Sequence, residues 1–246
     1  MKKMIKIVTL AMTLTIAVSG AAMATPSTQI FIPSTDIQAF KTGHLGIDNY
    51  IRTSNKGGFP NYYDLGLTAG VLPFEKIQME IGVDYLEGGQ GALGIDADKH
   101  PIYFNAKLGT PEDSLFKYSP ALAAGIWNLG TANSTKQNII YGLAARTLPV
   151  VGRISAGGYH GSESVLGQGQ NDGVLVSWDR TMSEISDKLW LAVDYMSGNN
   201  FNGSTNFGVS WAFSKNVSVI FGYDIYNNPA LGGKNTFNTQ LDINFP

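Results

Sequence analysis

Few residues of this chain are spaced for chemistry. His160-Gly161-Ser162 is the most suggestive group. On a strand, residues two apart share a face, so His160 as base and Ser162 as nucleophile would lie side by side, as acyl transfer requires. Both share parity with Ile154 and Ala156, whereas Asn171 has the opposite, inward parity. The second group is Asp96-Ala97-Asp98-Lys99-His100, in the longest connection. Its Asp-x-Asp could take Ca²⁺, but the late Glu of an EF-hand loop is absent. The plainer readings are a rim loop for the first and a solvated acidic loop for the second. Gly57-Gly58, Gly88-Gly89, Gly91 to Gly94 and Gly232-Gly233 are followed by neither Lys-Ser/Thr nor a helix, so they punctuate loops and do not cradle phosphate. With no cysteine there are no disulfides, no thiolate metal site and no attached c-type haem. No catalytic residue, metal or cofactor is assigned.

The elements that would carry such residues are strands. Asn235–Phe245 alternates Phe237, Thr239, Leu241, Ile243 and Phe245 on one face with Asn238, Gln240, Asp242 and Asn244 on the other. The same period-two pattern predicts twelve strands, over 41–52, 61–72, 76–87, 101–110, 119–129, 137–147, 150–161, 173–180, 188–197, 205–213, 216–226 and 235–245. Ten or fourteen strands remain open. Residues 119–129 leave the face ambiguous. The connections alternate long and short, as in an up-and-down barrel with long outer loops and tight periplasmic turns. A soluble sandwich rarely shows such spacing. Aromatic residues near strand ends (Tyr50, Tyr62, Tyr63, Tyr85, Trp178, Tyr195, Phe213, Phe245) are read as interfacial girdles.

Residues 1–24 carry Lys2, Lys3 and Lys6, an apolar run from Ile7 to Val18 and the small-residue ending Ala21-Ala22-Met23-Ala24. This is the layout of a secretory signal peptide, cleaved after Ala24. Removing it leaves 14 bases against 19 acids, a net charge of −5, which argues against nucleic acid as a partner. Residues 25–39, with two prolines, are read as a periplasmic lead-in or a luminal plug, and residues 40–246 as the barrel.

Polar strand faces turned inward would place Asp48, Asp64, Glu80, Asp84, Asp179, Asp194, Asp224 and Asp242 in the lumen, with Lys107, Arg146 and Arg153 on the facing wall. Such a transverse field belongs to a selective pore, acidic rings favouring cations; charges that pair with one another would instead fill a closed lumen.

Taken whole, the mature chain resembles the porin-like β-barrels of Gram-negative outer membranes. Its last strand, closing on Phe245, is similar to the terminal strand signal that the barrel assembly machinery reads, although Pro246 follows the aromatic here. The resemblance implies an all-β transmembrane antiparallel barrel in the outer membrane, surrounded by lipid and passing small hydrophilic solutes or ions. A second copy of the chain or a periplasmic partner is left open. His160-x-Ser162 is similar to the His-x-Ser of outer-membrane phospholipase A, which implies an acyl-ester hydrolase with His160 as base and Ser162 as nucleophile. The Asp96–His100 stretch is similar to part of the four-residue set of omptin-type barrel proteases. A third alternative is a structural or sleeve barrel with a closed lumen.

Overall fold

The computed structural model describes residues 27–54, 60–88, 99–167 and 169–246. The expected signal peptide lies outside them, as do Asp96 and Asp98. Twelve strands follow in chain order: β1 (Gly43–Arg52), β2 (Tyr62–Gly70), β3 (Gln78–Glu87), β4 (Ile102–Thr110), β5 (Ala121–Gly130), β6 (Ile139–Leu148), β7 (Gly152–His160), β8 (Asp172–Thr181), β9 (Leu189–Met196), β10 (Ser204–Ala212), β11 (Val217–Tyr226) and β12 (Thr236–Phe245). One helical turn, α1 (Glu163–Leu166), follows β7. Every strand end falls within two residues of the sequence expectation.

Each strand pairs antiparallel with its sequence neighbours, and β1 pairs with β12 from Gly43↔Phe245 to Arg52↔Thr236, closing the barrel. Closure leaves no sheet edge, which a structure surrounded by lipid requires because hydrocarbon offers backbone groups no partner. The apolar set faces outward: Leu65, Leu67, Ile81, Phe104, Leu108, Ile140, Phe207, Val209, Phe221 and Phe237 are all exposed. So continuous an apolar surface suits lipid, not water.

The ambiguous fifth strand has a physical explanation. Between Phe104/Leu129 and Ala106/Ile126 the β4–β5 register shifts by a bulge, with Asn128 at φ 53°. The bulge breaks the alternation, so that Trp127 packs against the lumen's apolar cluster while Asn128 beside it is buried too. Two expected girdle residues also belong elsewhere. Tyr50 and Tyr62 have the inward parity of Asp48 and Asp64; they are buried and stacked, ring centroids 4.2 Å apart. Tyr63, Tyr85, Tyr195, Phe213 and Phe245 are exposed.

Residues 27–40 enter the barrel as a hairpin. Thr28 bridges to Pro33, and the Gln29 N–H donates to the Ile32 carbonyl at 2.8 Å, which makes Ile30-Phe31 the tip. Ile30 packs with Trp190, Ala192 and Ile220, while Ile32 joins Ile139, Tyr141, Leu143, Tyr159, Leu175, Met196 and α1's Val165 and Leu166. The lumen is therefore lopsided: the side under β6–β11 is packed like a soluble core, and the space lies against β1–β4.

Candidate functional site

The space is a cavity of about 130 Å³, enough for several waters. Along its wall β1, β2 and β3 present Asp48, Asp64 and Asp84, and β12 adds Asp242. Asp48 is directly opposite Asp64 in the β1–β2 ladder, and Asp84 lies opposite Gly66, one inward position along from Asp64. Gly66 leaves room for it: a Cβ there would lie 2.9 Å from an Asp84 oxygen. Asn105 donates to Asp84, and the Tyr50 hydroxyl donates to Asp48 at 3.5 Å. Asp64 Oδ1 is buried without a hydrogen-bond partner. Among the described residues none of these three aspartates is ion-paired.

The bases sit otherwise than two opposed walls require. Lys107 Nζ is 3.1 Å from Glu80 Oε1 on the adjacent strand, both side chains almost fully buried. Arg153 binds Asp179 on adjacent β8 at 2.9 Å and Asp36 of the hairpin at 2.5 Å. Arg146 does not face the lumen at all. It is opposite Ile154, shares the outward face of Ile140, and binds Glu112 at 3.3 Å and Asp113 at 2.9 Å in the link after β4. That hydrogen bond holds the Asp113 carboxyl below the usual carboxylate range. Local pairing thus replaces the transverse field expected from the sequence.

Asp194 and Asp224 are structural. Asp194 Oδ2 accepts the backbone N–H groups of Ile30 at 2.8 Å and Phe31 at 2.9 Å, and its Oδ1 accepts from Asn206 at 2.6 Å. Asp224 accepts from Thr236 and Asn238. Asp242 is 3.6 Å from His44, whose other ring nitrogen meets Asn244 at 3.2 Å.

Strand parity also holds residues that the charge inventory passed over. His44 and Arg52 share the inward face of Asp48. Arg52 ends β1 and lines the cavity: its guanidinium lies 5.6 Å from the Tyr62 ring centroid and 5.1 Å from that of Tyr226, and it donates to the Lys234 and Pro60 carbonyls. The Tyr62 and Tyr226 hydroxyls meet at 2.9 Å. Beneath them Phe31 makes edge contacts with Tyr50, Trp127 and Tyr226, at centroid distances of 6.3, 5.8 and 6.3 Å.

His160 and Ser162 do not form a relay. His160, exposed, is 3.9 Å from Asp172, while the Ser162 hydroxyl meets Ser164 at 3.1 Å and Asn171 donates to the Gly161 carbonyl. Among the described residues no group of His, Asp and Glu is arranged to hold a metal.

No protein-family model matches the chain, and no curated protein does. Among solved structures, a mutant porin of Rh. blastica superposes with a TM-score of 0.43 at 8% identity, covering 83% of this chain and 98% of that one. Pseudomonas putida OprB in its low-pH structure gives 0.30 at 9% identity, covering 84% and 92%.

Proposed function

We propose that the chain is a porin-like outer-membrane barrel that passes small hydrophilic solutes or ions, and that its route runs along the β1–β4 wall beside the hairpin. The carrying observation is the cavity of about 130 Å³ lined by Asp48, Asp64 and Asp84, without base partners among the described residues. Carboxylates on a narrow wet path lower the energy of a passing cation and raise that of an anion. Lys107 is paired with Glu80, and Arg153 with both Asp179 and Asp36, so neither base adds a positive field to the path. The apolar outer face supports an outer-membrane location, with β12 as the strand that the assembly machinery reads.

A closed structural barrel is the second reading, favoured by the apolar packing under β6–β11. Planar-bilayer recording separates the two. Folded protein should give discrete conductance steps with a reversal potential on the cation side of zero; a persistently silent bilayer would sink the pore.

A further inference from the structure

The hairpin tip is set into the barrel with more care than a passive lead-in needs. Its turn aims the N–H groups of Ile30 and Phe31, with that of Ile32 at 3.4 Å, onto one carboxylate oxygen of Asp194, so three successive amides form a nest around a wall residue. Gln240 donates to the Ile30 carbonyl at 2.7 Å, and Gln29 to Asp179 at 3.1 Å. The wall is recessed to receive it: a Cβ on Gly208 would lie 2.8 Å from Ile30 Cγ1, and one on Gly70 would lie 1.9 Å from the Ala39 carbonyl oxygen. Both arms are held at the base by a single ion pair, since Lys107 Nζ donates to the Ser27 carbonyl at 3.2 Å while Glu80 accepts the Gln38 N–H at 2.7 Å.

What this seating delivers is Phe31. Ile30 turns into the wall, whereas Phe31 turns the other way and meets Tyr50, Trp127 and Tyr226 at the upper end of the cavity. Phe31, Tyr50 and Trp127 line the cavity beside the aspartates, and Tyr226 joins them to Arg52, whose guanidinium lies over its ring.

We propose that Phe31 is the constriction residue of the lumen, held there by a hairpin that stays seated while solute passes. The proposal rests on the pore reading above and adds to it the element that sets the size limit. A seated tip follows from its anchors: a nest on a buried carboxylate, an apolar socket and a two-armed clamp. Leaving would uncover Asp194, Gln240 and the Lys107–Glu80 pair at once, at a cost no passing solute repays.

The test uses the full mature chain, folded in detergent and checked by its β-sheet circular dichroism, in three forms: parent, Phe31→Ala, and Ile30→Cys/Gly208→Cys. The natural chain has no cysteine, so the added pair is the only thiol chemistry present. Phe31→Ala should raise single-channel conductance by about twofold, because the narrowest section dominates the resistance of a pore. The cysteine pair, oxidised to tie the tip to β10, should conduct as its reduced form does. A conducting parent with unchanged conductance in Phe31→Ala overturns the constriction and leaves the pore intact. Conductance lost on oxidation and regained on reduction overturns the seated tip, since it means that the hairpin must leave. Silence in all three forms overturns both this inference and the pore reading; a silent parent beside a conducting Phe31→Ala supports both.

Discussion

Lys107 and Glu80 form a buried ion pair at 3.1 Å, and each partner also holds one arm of the hairpin, Lys107 at Ser27 and Glu80 at Gln38. Breaking one side strands the other charge in the lumen wall. Glu80→Leu should therefore lower unfolding stability in detergent by about 3–5 kcal/mol. Lys107→Met added to it should recover a large part of that loss, because an apolar pair carries no desolvation cost. Urea unfolding of the four-member cycle checks this; additive single losses would show that the pair is not coupled.

Asp194→Ala removes the acceptor of the Ile30 and Phe31 amides. Leaving the Ile30, Phe31 and Ile32 N–H groups without this acceptor should cost about 3 kcal/mol. The expected outcome is local: hydrogen exchange at Ile30, Phe31 and Ile32 accelerates, while the β1–β12 ladder keeps its protection. Uniform acceleration around the barrel would instead make Asp194 a general fold determinant.

The strands were legible because alternation is a local property and ten or so residues suffice to show it. The hairpin was not, because its partners lie far along the chain, Asp194 more than 160 positions from Ile30. Two prolines and one short bridge leave no period to read. The inward placing of Arg146 failed for a related reason. Ile139 and Ile140 follow one another, and Gly142, Ala144 and Ala145 carry no polarity that could fix which face is wet. Arg52 and His44 were readable by counting in twos from Asp48, but a base among carboxylates says nothing of the tyrosine rings that hold it.

Asp113, in the link between β4 and β5, has its carboxyl held low by the Arg146 hydrogen bond. A depressed folded-state value means that the contribution to stability is present above the unfolded aspartate pKa of about 3.9 and fades as pH falls through the folded value. In Arg146→Gln the Asp113 titration, followed by carboxyl-carbon NMR, should move up toward the ordinary range. No movement would assign the depression to the Tyr118 N–H, which Asp113 also accepts at 2.6 Å.

Ser162 meets Ser164, while exposed His160 is 3.9 Å from Asp172. Ester hydrolysis by the purified barrel should therefore be indistinguishable from the background of Ser162→Ala, with short-chain acyl esters as substrates. Activity in the parent that disappears in this variant would require a rearranged outer loop and would restore the hydrolase.

Asp48, Asp64 and Asp84 occupy neighbouring strands on one wet wall, and the side chains that donate to Asp48 and Asp84 are Tyr50 and Asn105, not bases. Three carboxyl groups on so small a cavity act on the same passing ion, so replacing them singly should have graded effects. Each Asp→Asn replacement should reduce the cation-over-anion permeability ratio by about twofold, and the triple replacement should bring it near unity. The shift should shrink at high salt, as counterions screen whatever part of the wall faces open water. Reversal potentials in a salt gradient measure it directly. Arg146→Gln is the control: that side chain stands on the outer face, and removing it should leave the ratio where the parent has it. A ratio that follows Arg146 and ignores the aspartates would move the ion path away from the β1–β4 wall.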